Sequence, residues 1–85
     1  MEKTIKTINK LLDKLLLPQY DDIVEYQIIP NDDKIEIIFW MDGTDQEIEE
    51  EIVDECHSIL RMIGPTQYRF LFKFTTEGEN FYTYS

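Results

Sequence analysis

Apolar residues recur at helical spacing in the first stretch of the chain and at every second position in later ones. Between Thr4 and Leu16, a turn of about 100° per residue puts Ile5, Ile8, Leu11, Leu12, Leu15 and Leu16 on one arc. Lys3, Lys6, Lys10 and Lys14 fall opposite. The spacing predicts an amphipathic helix that ends before Pro18, because proline bars the preceding residue from helical geometry.

From Ile23 to Ile29 the pattern changes to alternation, with Val24, Tyr26 and Ile28 between Glu25 and Gln27, which predicts a strand. Pro30-Asn31-Asp32-Asp33 is a turn sequence. Lys34 to Met41 alternates again, with Ile35, Ile37, Phe39 and Met41 on one face, and the short spacing predicts an antiparallel hairpin.

Thr44-Asp45-Gln46-Glu47 has the form of a capping box, with Thr44 as the cap. The helix it opens runs to about Ile63 and carries Ile48, Ile52, Val53, Cys56, Ile59, Leu60 and Ile63 on its apolar arc. Gly64-Pro65 closes it. Gln67 to Thr75 holds an aromatic stripe, Tyr68, Phe70, Phe72 and Phe74, and predicts a third strand. A turn at Glu77-Gly78-Glu79 and a short strand from Phe81 to Tyr84 complete the chain.

The order is α-β-β-α-β-β. A sheet with an apolar face must bury it, and two amphipathic helices are at hand. The expected fold is a single α+β domain over residues 1–85, a mostly antiparallel four-stranded sheet with both helices on one face.

Charge narrows the function. Eighteen acids against eight bases give a net charge of −10, which disfavours nucleic acid, whose binding is driven by Lys and Arg. The first 17 residues hold four lysines and two acids, so the excess of acid lies in the rest. The longest uninterrupted apolar run, Ile37 to Met41, is far short of a membrane span, and lysines interrupt any leader-like segment near the start. A lone cysteine, Cys56, excludes an internal disulfide. The expected location is the cytoplasm, that of the host cell if the source is viral.

Four groupings are candidates for chemistry or binding. Glu47, Glu50, Glu51, Asp54 and Glu55 form an acidic helix face, and its like-charged i,i+4 pairs each cost about 0.2–0.5 kcal/mol. Such a face suits a basic partner, or simply water. The lysine stripe of the first helix suits an anionic membrane or the acidic helix, but its apolar arc is needed to cover the sheet. Glu50, Asp54 and His57 share one helical strip and could approach a metal, yet a lone His among acids is ordinarily solvated. Cys56 and His57 diverge by about 100° on a helix and form no dyad, so Cys56 reads as a buried, inert thiol. No phosphate-binding loop, dinucleotide fingerprint or catalytic constellation is present, and no cofactor is expected.

The second face of the sheet is the most informative. With Val24, Ile37, Phe39, Phe70 and Phe72 toward the helices, Ile23, Ile29, Ile38, Trp40 and Leu71 point away. Glu25, Gln27, Glu36, Arg69 and Lys73 surround them. An exposed apolar patch with a charged rim marks a protein interface, and Trp is enriched in binding hot spots. Aromatics beside bases also suit RNA, but two bases on an acidic chain do not make a positive face.

The expected function is that of a small, non-enzymatic protein-interaction module. Its interface is Ile38, Trp40, Leu71, Arg69 and Lys73, and its partner is a protein, including a second copy in a homodimer. The alternative is an acidic decoy that fills a basic, nucleic-acid-binding site on a partner through Glu47, Glu50, Glu51 and Asp54.

Overall fold

The computed structural model describes residues 2–43, 45–64, 68–76 and 82–84. Helix α1 (Glu2–Leu11) continues into a π-helical turn (Leu12–Leu16) and a 3-10 turn (Leu17–Gln19). Ile8, Leu12 and Leu16 are all fully buried. In an uninterrupted α-helix each step of four residues drifts by about 40°, which would carry Leu16 well away from Ile8. The wider turn, closed by the Leu17 N–H donating to the Leu12 carbonyl, cancels the second half of that drift. Lys3, Lys6, Lys10 and Lys14 are exposed. The α- and π-helical winding ends at Leu16, as expected, but Leu17 keeps helical dihedrals and Pro18 sits in the first positions of a following 3-10 turn, where a missing N–H costs nothing.

Strands β1 (Ile23–Asn31) and β2 (Lys34–Met41) form the expected antiparallel hairpin, closed by Asp32 and Asp33. Asp32 takes a φ of 52°, a left-handed conformation that Asp tolerates better than most residues. Pro30 is accommodated because β1 is an edge strand. The register shifts between Ile23 and Glu25, where Ile23 pairs with Met41 and Glu25 with Trp40. Val24 is the extra residue of a β-bulge. This reverses two sequence assignments: Ile23 is buried, and Val24 is 66% exposed.

The sheet itself departs from expectation. Strand β3 (Arg69–Thr75) pairs with β2 in parallel, from Lys34 opposite Arg69 to Trp40 opposite Thr75. The three long strands therefore form a mixed sheet in the order β1-β2-β3, not a mostly antiparallel four-stranded one. Among the described residues, a short β4 (Tyr82–Tyr84) pairs antiparallel with the outer edge of β3. The physical reason is the connection: a 15-residue helix, α2 (Gln46–Leu60), lies between β2 and β3 and carries the chain back to the start of β2.

Asp45, not Thr44, caps α2: its carboxylate accepts the Glu47 N–H at 3.0 Å, while Thr44 lies outside the described residues. A 3-10 turn (Arg61–Ile63) follows, and Gly64 leaves it at φ 93°, ψ −178°, a region almost closed to other residues. Pro65 lies outside the described residues. Gly64→Ala should cost about 1–3 kcal/mol, read as a lower urea midpoint with an unchanged slope.

One core joins the layers. Ile8, Leu12 and Leu16 from the first helix meet Ile52, Val53, Cys56, Ile59 and Leu60 from α2 over Ile35, Ile37, Phe39, Phe72 and Phe74. Phe39 stacks on Phe74 with ring centroids 5.2 Å apart. At the β1 side, the Tyr26 hydroxyl donates to the Asp13 carboxylate at 2.7 Å, with the Asn9 side-chain oxygen at 3.0 Å. Burial first, and then this bond and the charge of Asp13, hold the Tyr26 proton well above the usual phenol range. No helix among the described residues is long and apolar enough to cross a membrane.

Candidate functional site

Strand register assigns the central residues of the second sheet face. Paired residues share a face, so Glu25, Gln27 and Ile29 of β1 lie with Glu36, Ile38 and Trp40 of β2 and with Leu71, Lys73 and Thr75 of β3. Ile29, Ile38, Trp40 and Leu71 are half-buried. None of them belongs to the core or packs against it. Their partial shelter therefore comes from this side of the sheet.

Ile29 and Leu71 both register opposite Glu36, with Ile38 and Trp40 further along β2. Lys73 reaches diagonally to Glu36 at 3.5 Å, both half-buried, so the charged rim is partly neutralised within the face. Thr75, registered opposite Trp40, is 2% exposed, which makes that end of the face the more enclosed. Arg69 is exposed at the opposite end, beside Lys34. The structure thus brings Ile29, Ile38, Trp40, Leu71, Arg69 and Lys73 onto one surface, as their alternation implies. Ile23 is removed from that surface by the bulge.

The acidic residues Glu47, Glu50, Glu51 and Asp54 are all exposed, and Glu55 is half-buried. Their field reaches Tyr20: burial raises its phenol, and Glu51, Glu55 and Asp54 add to the shift. No described lysine forms an ion pair with them. One acid of α2 lies apart from the exposed acidic face. Glu49 is 4% exposed. It lies three and four residues before Ile52 and Val53, on the apolar arc, and the positive end of the helix favours it in the first turn. Its spacing to Ile52 and Val53 is what marks it in the sequence.

His57 is only partly exposed to solvent. Its half-buried ring meets Phe72 edge-on, with centroids 5.2 Å apart at 78°. Among the described residues no group of three or more His, Cys, Asp or Glu could hold a metal, so Glu50, Asp54 and His57 are not brought together as ligands. Cys56 is fully buried, and burial, with a smaller effect of Glu55, pushes its thiol up to about 12. A thiol held protonated in this way is a poor nucleophile.

No family model matches the chain, and neither curated proteins nor solved structures give a significant match.

Proposed function

We propose that the chain is a non-enzymatic interaction module that docks a protein, in the simplest case a second copy of itself, through Ile29, Ile38, Trp40 and Leu71. One observation carries this reading: four large apolar side chains share a sheet face on which no described helix or core residue packs. Removing them from water is the driving force, at about 25 cal/mol per Å² of apolar area. Lys73, Glu36 and Arg69 form a polar rim that sets orientation more than affinity.

The size of the face sets the strength. Three strands about 4.8 Å apart, each about 25 Å long, give a footprint of about 350 Å². That is well under the roughly 800 Å² per partner of a standard stable complex. Self-association through it is therefore weak, with dissociation in the micromolar range or above. Light scattering after gel filtration should show mass rising with concentration from tens to hundreds of micromolar. Trp40→Glu should stay monomeric throughout while keeping its far-ultraviolet circular dichroism. A wild-type chain that remains monomeric over the whole range, with a mass indifferent to Trp40→Glu, removes the self-association reading.

A second reading rests on α2, where Glu47, Glu50, Glu51 and Asp54 stand exposed and free of ion pairs with described residues. As an acidic decoy, this face occupies a basic site on a partner. Salt separates the two readings: docking through Trp40 tolerates added salt, whereas binding through the carboxylates weakens steeply with it. Charge reversal at Glu51 and Asp54 affects only the second.

A further inference from the structure

Lys34 and Arg69 register directly opposite each other where β2 and β3 begin. Like charges in that position repel and weaken the strand pair. Shortage of acid does not explain them, because the chain holds eighteen acids to eight bases. Among the described residues the one ion pair joins Lys73 to Glu36, and neither Lys34 nor Arg69 takes part in one. Asp32 and Asp33 occupy the adjoining turn but are exposed, and neither carboxylate pairs with either cation.

The backbone around the two cations is fixed. The Arg69 N–H donates to the Asp33 carbonyl at 2.8 Å, tying the start of β3 to the hairpin turn. A cavity of about 410 Å³ opens there, lined by Lys34, Arg69, Phe70 and Leu71. That volume lies within the range of small-molecule sites, which pair apolar walls with a few polar groups. The guanidinium fork suits bidentate contact with an oxyanion, and the ammonium supplies a second positive charge.

We propose that Lys34 and Arg69 form a binding site for the oxyanion, phosphate or carboxylate, of a small ligand whose apolar body lies against Leu71, which shares their face of the sheet. The site shares Leu71 and the rim residue Arg69 with the docking face, but ligand binding there does not require docking, so a monomeric Trp40→Glu variant should retain it. Bound oxyanion relieves the repulsion between the two cations, and the apolar contact with Leu71 favours a ligand with an apolar body over a bare inorganic ion.

The test is a titration of isotope-labelled protein at constant ionic strength, followed by amide chemical shifts. Inorganic phosphate, phenyl phosphate and benzoate are the probes, with sodium chloride as the reference. Saturable shifts should centre on Lys34, Arg69 and Leu71, with phenyl phosphate binding more tightly than inorganic phosphate. Comparing phenyl phosphate with benzoate identifies the oxyanion. Arg69→Gln should weaken the preferred probe about tenfold or more, and Lys6→Gln should leave it unchanged. An unaltered spectrum away from the cavity shows that Arg69→Gln is folded. Non-saturable shifts, shifts as large at Lys3, Lys6, Lys10 and Lys14, or affinity indifferent to Arg69→Gln would each overturn the assignment.

Discussion

Phe39→Ala is expected to cost about 3–5 kcal/mol and to leave little folded protein. Phe39 is fully buried in β2, the strand paired on both sides, and its register partners are Tyr26 and Phe74. Its ring lies 5.2 Å from that of Phe74 and 6.2 Å from that of Tyr26. Truncation therefore opens a void between the sheet and both helices, which the rigid strand cannot close. A chain of this size holds a total stability of about 4–13 kcal/mol, so the loss is a large share of it. Each kcal/mol lowers the melting temperature of so small a domain by about 4–8 °C. The check is a thermal melt followed by circular dichroism, with Trp40→Ala as control. Trp40 is the next residue along β2 but lies on the other face, and its removal should cost far less. If the two variants melted together, the assignment of faces on β2 would be wrong.

The second large effect is a loss of stability in alkali. The thiol of Cys56 ionises near 9.0 when exposed and is pushed up to about 12 in the fold, by burial first and by Glu55 second. A raised folded value means that this contribution is complete below pH 9 and falls away as the pH climbs toward 12. Over that window the unfolded chain gains about 1.4 kcal/mol per pH unit from the thiolate. At pH 11 the loss from this one group is on the order of 2–3 kcal/mol. Tyr26, whose proton is also held by burial and by Asp13, steepens the decline above pH 10. Urea midpoints at pH 7, 9, 10 and 11 measure the slope. Cys56→Ala should be less stable at neutral pH yet flatter between pH 9 and 10, where the unfolded thiol ionises ahead of the phenols. A wild-type midpoint constant from pH 8 to 11 would contradict a buried thiol.

Local patterns in the chain carried much of this fold. The alternation of Ile35, Ile37, Phe39 and Met41 placed all four in the core. The helical spacing of Ile8, Leu12, Leu16, Ile52, Val53 and Cys56 did the same. Signals that depend on backbone departures were harder to see. The bulge at Val24 adds no residue type that announces it, and it exchanged the burial of Ile23 and Val24. The π-helical turn is written only in the need to keep Leu16 in line with Ile8.

The parallel pairing of β2 with β3 had a signal that strand patterns alone do not weigh. The helix-containing connection after Met41 is far longer than a hairpin needs, and a connection of that kind serves a crossover. On the candidate face, parity alone assigned Ile38, Trp40 and Leu71 correctly because β2 and β3 are regular. The basic corner at Lys34 and Arg69 was invisible for the opposite reason: these residues are distant in sequence, and only the parallel register makes them neighbours.

That register has a consequence for the order in which the molecule is made. During synthesis the hairpin of β1 and β2 can close as soon as Met41 is out, but the other side of β2 has no mate until Arg69 follows. In the interval a ribbon bearing Ile35, Ile37 and Phe39 presents a row of open amides and carbonyls to whatever is nearby. A fragment stopped after α2 would keep that row open permanently. It should clump into fibrous or amorphous deposits at concentrations where the whole chain stays clear.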